Sequence, residues 1–116
     1  MSNTSFDLPL PEDGETAPYS LVGSARALPG KADELEAALL AMVSPTRKEE
    51  GVLQYHVHRD RHDPDLFIFY EAWRTVGDLK EHLAMPYIQS FLSRHKELVD
   101  GDLQVTWLKM LSSYES

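Results

Sequence analysis

Residues Leu66 to Trp73 read LFIFYEAW, a short run dense in aromatic side chains and free of glycine and proline. That composition is a strand's. Successive side chains of a strand point to opposite faces. One set is therefore Leu66, Ile68, Tyr70 and Ala72, and the other is Phe67, Phe69, Glu71 and Trp73. Both sets are apolar apart from Glu71, and helices can cover only one face. Leaving Phe67, Phe69 and Trp73 in water would expose a patch larger than soluble monomers usually carry. Burying them is worth about 1.5–3 kcal/mol each. The expected cover is a second copy of the chain, sheet face to sheet face about a twofold axis, giving a homodimer. Glu71 is the anomaly, because an unpaired buried carboxylate is costly. An apolar surface with one polar group is also how a small-molecule pocket looks.

Outward from this strand the remaining elements follow. Val52 to Arg59 (VLQYHVHR) alternates Leu53, Tyr55 and Val57 against Gln54, His56 and His58, a strand with one polar side. Asp60 to Asp65 (DRHDPD) supplies the turn formers of a hairpin loop. Tyr19 to Leu28 reads as a first strand, ended by Pro29-Gly30. Lys31 to Glu50 carries Leu35, Leu39, Met42 and Val43 at helical spacing, with Pro45 kinking or ending the helix and Gly51 closing it. Thr75 and Asp78 resemble a capping box that opens a second helix through Leu79 and Leu83. Pro86 interrupts that helix, and a further piece carries Ile88, Phe91, Leu92 and Leu98. Leu103 to Leu111 forms the last strand. The order β-α-β-β-α-β predicts an α+β, ferredoxin-like domain over residues 19–116. Residues 1–18 hold three of the seven prolines and no periodicity, and read as a flexible tail.

With 116 residues the chain has room for one core. A net charge of −8 and scattered lysines and arginines exclude the basic stripe that nucleic acid or an anionic membrane requires. No apolar run reaches the ~20 residues of a bilayer span. The opening stretch has neither a basic start nor an apolar run, so a cytoplasmic protein is expected. With no cysteine, a thiolate metal site or a cysteine nucleophile is excluded.

Several segments then come in a familiar order. They are Pro29-Gly30-Lys31, PTRKEEG at Pro45 to Gly51, Tyr55, HRDRHDPDLFIFYEAW at His58 to Trp73, His82, and MPYIQSF at Met85 to Phe91. This set resembles the antibiotic biosynthesis monooxygenase (ABM) domain family, and within it the small quinol monooxygenase-like proteins. The resemblance covers about residues 19–111. It implies a dimeric α+β barrel and an oxygenase that needs no cofactor, acting with O2 on an aromatic phenol, quinol or polyketide-like substrate. By position in the family pattern, Trp73 lines the pocket, His82 accepts or shares the substrate proton, and Glu71 orients the histidine or a substrate hydroxyl. An imidazole ordinarily titrates near pH ~6.5, which suits that role. Many relatives have a histidine where this chain has Tyr87, which can donate a hydrogen bond but is a poor base. Haem-degrading relatives place an asparagine on the first strand. YSLVGSARAL has none, so haem is not expected.

Each of these residues also has a plainer role open to it. Trp73, Phe67 and Phe69 suit a dimer core as well as a substrate-binding wall. Glu71 can pair structurally with Arg26 or Arg47, and His82 can sit exposed at a helix start. Tyr55 is a strand aromatic before it is a pocket residue. His56, His58 and His62 lie on a polar strand edge and its loop, and a solvated edge accounts for them better than a metal site. Besides the oxygenase, a non-catalytic small-molecule binding dimer and an isomerase of a small phosphorylated metabolite remain open.

Overall fold

The computed structural model describes residues 8–114. Its elements run β1 (Tyr19–Arg26), α1 (Ala32–Ala41), α2 (Val43–Arg47), β2 (Val52–Arg59), β3 (Leu66–Trp73), α3 (Val76–Leu83), α4 (Pro86–Arg94), a 3-10 turn (His95–Glu97) and β4 (Gln104–Lys109). The strands form one sheet in the order β2-β3-β1-β4, every neighbour antiparallel. This is the ferredoxin-like α+β fold. No helix among the described residues is long and apolar enough to cross a membrane.

Three local differences from the sequence-based expectation have simple causes. The first strand stops at Arg26, and Ala27 continues only as an isolated bridge to Val99. The long first helix is two helices that break at Met42. Pro45 then stands third in α2, within the first turn, where its missing N–H leaves no intrahelical bond unmade. Gly51 is not a left-handed cap, since the positive-φ glycines are Gly14, Gly30 and Gly101. It is small because Asp78 presses on it; a Cβ there would lie 2.1 Å from the Asp78 Cγ.

The helices lie over the sheet face that carries Phe67, Phe69, Glu71 and Trp73. Phe67 and Trp73 are 1% and 0% exposed within a single chain. The expectation that a second copy must cover these aromatics is therefore corrected for Phe67 and Trp73, which the chain's own helices cover, while Phe69 is half-buried. The opposite face presents Val22, Ser24, Ile68 and Tyr70, all half-buried, while Ala72 and Ser20 are buried.

Two clusters fill the space between sheet and helices. Ala25, Leu35, Phe67, Phe91 and Leu98 anchor one, and Tyr19, Leu21, Tyr55, Trp73 and Leu79 anchor the other. Residues 1–7 of the expected tail lie outside the described residues. Residues 8–18 form no helix or strand. Leu8 nevertheless packs on the second cluster, and Glu12 pairs with Lys109 of β4.

Candidate active site

Glu71 and Trp73 are two apart on β3, so both side chains rise from the sheet under α3. There the Trp73 indole N–H donates to Glu71 Oε1 at 3.0 Å. Tyr55 faces the same way, because β2 pairs Tyr55 with Glu71. Its strand is tied to α2 by Arg47, whose Nε and Nη2 donate to the Tyr55 carbonyl at 3.1 and 2.8 Å.

His82 arrives from above. Thr75 caps α3 by accepting from the Asp78 N–H at 3.1 Å, as the capping-box reading predicts. That fixes the register that turns Leu79 and His82, three apart, toward the sheet. His82 is only 2% exposed. Its ring lies 4.5 Å from the Trp73 ring, tilted by 36°, and meets Tyr55 edge-on at 5.6 Å. Its Nε2 stands 3.8 Å from Glu71 Oε1, too far for a hydrogen bond. Its Nδ1 is 2.9 Å from Glu49 Oε2. The same carboxylate oxygen accepts from the Tyr87 hydroxyl, which comes from the first turn of α4.

These groups sit at one end of a cavity of about 60 Å3, lined chiefly by Leu, Val, Ile and aromatic side chains. That is room for roughly four to six water-sized spheres. Glu71, His82, Tyr55 and Phe69 are on its wall, and Leu103, Val105 and Trp107 bring in the β4 edge. Phe69 reaches the wall because Gly23 faces it across β1; a Cβ at Gly23 would fall 2.2 Å from the Phe69 ring. Among the described residues on this wall there is no lysine or arginine.

Burial sets the electrostatics. Desolvation raises the Glu71 pKa above the ordinary carboxylate range, and Glu49 raises it further. His82 and the Trp73 N–H pull it back in part. Desolvation also drives the Tyr55 hydroxyl strongly upward, reinforced by Glu71. Tyr87 is pushed up to about 12, first by burial and then by its hydrogen bond to Glu49.

The structure therefore brings together His82, Trp73, Glu71, Tyr55 and Phe69. Tyr87 stands behind them and reaches His82 only through Glu49. Neither Phe67 nor Trp73 is on the cavity wall. Phe67 lies in the first cluster, with the Arg59 guanidinium 5.1 Å above its ring. Trp73, expected to line the pocket, is wholly buried against Glu71 and His82. Glu71 pairs with neither Arg26 nor Arg47. Arg26 pairs with Asp63 at 2.9 Å, and Arg47 is spent on β2. His56 and His58 stand exposed on the opposite face, His56 Nε2 lying 2.6 Å from Gln54 Oε1.

The residue that sequence reading overlooked is Glu49. A faint signal was present: Glu49 and Glu50 follow the C-terminal end of α2, where the helix dipole disfavours acids. An acid in the wrong place for its helix is an acid held by something else.

The family model for antibiotic biosynthesis monooxygenase matches residues 18–94, which include every group of this cluster. The chain belongs to the antibiotic biosynthesis monooxygenase family. Among curated proteins it is similar to one named "Putative monooxygenase Rv0793" of Mycobacterium tuberculosis, 29% identical over 83% of this chain and 94% of that one. Among solved structures, PA3566 of Pseudomonas aeruginosa is 35% identical, with a TM-score of 0.79 over 85% of this chain and all of that one. A structure described as a "putative antibiotic biosynthesis monooxygenase" from Deinococcus radiodurans is 28% identical, with a TM-score of 0.75 over 84% of this chain and 97% of that one. This ABM domain thus has the family's fold over nearly its whole described length.

Proposed function

We propose that the chain is a cytoplasmic, homodimeric monooxygenase that oxidises a small, neutral phenol or quinol with O2 and uses no cofactor. The observation that carries this reading is the unbonded pair His82 Nε2 and Glu71 Oε1, 3.8 Å apart at the end of an apolar cavity. A substrate hydroxyl seated between them can give its proton to Nε2 while it accepts from a protonated Glu71. The upward shift of Glu71 supports that protonation state.

The resulting phenolate is electron-rich enough to pass an electron to O2. The two radicals combine into a peroxide at a ring carbon. Loss of water leaves one oxygen atom on the ring. For a simple quinol the balance is quinol plus O2 giving hydroxyquinone plus water, so the substrate is its own reductant. Phe69 and Tyr55 offer the ring its aromatic wall, Trp73 holds Glu71 from beneath, and the dry wall protects the charged intermediate. The absence of a lysine or arginine on the described wall gives a phosphorylated substrate no counter-charge, which weighs against the isomerase. The half-buried face at Val22, Ile68 and Tyr70, continued by Leu108 (38% exposed), is the surface proposed to meet the second copy.

The test is oxygen uptake by the purified protein across a panel of quinols and naphthols, with sedimentation to give its mass. His82→Ala is expected to lower kcat/KM about 10²–10⁴-fold while the fold survives. Full activity in that variant on a turned-over substrate ends the proposal.

A further inference from the structure

We infer that Glu49 is a positioning residue: it holds His82 in the Nδ1–H tautomer and so leaves Nε2 as the free base facing the cavity. The role of that base rests on the monooxygenase reading, but the tautomer does not.

The assignment follows from the hydrogen-bond partners. Glu49 Oε2 already accepts from the Tyr87 hydroxyl, which marks the carboxylate as an acceptor. The second contact of that oxygen is His82 Nδ1, at 2.9 Å. An oxygen that accepts one proton donor and meets an imidazole nitrogen at that distance is satisfied when the nitrogen carries the hydrogen. Nε2 is then unprotonated, and it faces Glu71 across a gap too long for a bond. Glu49 and Tyr87 are both absent from the cavity wall, so neither touches what the cavity holds. They act from behind the ring.

Burial makes the arrangement consequential. The side chains of His82 and Glu49 are 2% and 8% exposed, so solvent cannot substitute for either partner. Glu49 lies in the turn after α2, His82 near the end of α3 and Tyr87 at the start of α4. One carboxylate therefore joins three segments that are separate in the chain. It also explains how this chain works with tyrosine at position 87. A hydroxyl that donates to Glu49 needs no basicity of its own.

The decisive measurement is a two-bond 15N–1H correlation spectrum of the full chain at a pH where imidazoles are neutral, with His82 assigned by its loss in His82→Ala. The wild type is expected to show a protonated Nδ1 and a bare Nε2. Glu49→Ala and the shape-preserving Glu49→Gln are expected to shift population toward the Nε2–H form. On a turned-over quinol they are expected to lower kcat about ten-fold or more with KM little changed. A wild-type His82 with its proton on Nε2 overturns the inference, and so does a tautomer that neither variant changes. The wild-type spectrum decides even if Glu49→Ala does not fold. A shifted tautomer in a protein that consumes no oxygen with any quinol sustains the positioning role and defeats the oxygenase reading.

Discussion

The two ends of β3 lie under the same helices and do opposite things. At one end Phe67 is 1% exposed among Leu35, Phe91 and Leu98, and the guanidinium over its ring, that of Arg59, is paired with Glu36 and Asp33. At the other end Trp73 is 0% exposed, yet beside it lie two buried carboxyl groups and a buried imidazole. The first end is built from groups that gain by leaving water. The second is built from groups that lose by it and are held only by one another. Stability is thus concentrated at one end, and the groups proposed to do chemistry at the other.

The largest break in this contrast should come from Phe67→Ala, expected to cost about 3–5 kcal/mol in chemical denaturation. Ligand affinity of the molecules that remain folded should hardly change, because Phe67 is off the cavity wall.

Glu71→Gln should do the reverse. Burial raises the folded-state pKa of Glu71 above its unfolded value. The protonated group therefore suits the fold at pH below the ordinary ~4.3, and that advantage is lost as pH rises through the raised folded value. The amide never ionises. Its stability relative to wild type should grow with pH over that window, reaching about 1–3 kcal/mol at neutral pH in urea titrations. A difference that is flat with pH would show that Glu71 is not the group paying for burial.

Thr75→Ala should have the smallest effect, about 1 kcal/mol, through the lost cap of α3. Hydrogen exchange should quicken in α3, which carries His82, and leave the strand pairs around Phe67 unchanged. Equal quickening at both ends would erase the distinction between them.

Much of this was legible in the sequence. The bounds of β2 and β3 and the cap of α3 were readable because alternation and capping are local codes. The family motifs put His82, Trp73 and Glu71 together. Alternation divides β3 into two sets but cannot say which set the helices choose when both are apolar. That is why Phe67, Phe69 and Trp73 were assigned to a dimer face and found beneath the chain's own helices. It is also why Phe67 could not be told from a wall residue. Glu49 was hidden for another reason: its partner is 33 residues away, and no local pattern reports a contact of that separation.

The close approach of Gly23 to Phe69 has a consequence for how this family member can vary. With only 2.2 Å between a Cβ at position 23 and the ring, the two positions cannot change independently. A larger residue at 23 requires a smaller one at 69, and that exchange would hollow the cavity beside Glu71 and His82. Redesign toward bulkier substrates therefore has a natural first move in a paired substitution, and lineages that drift at one of these positions should be found to have drifted at both.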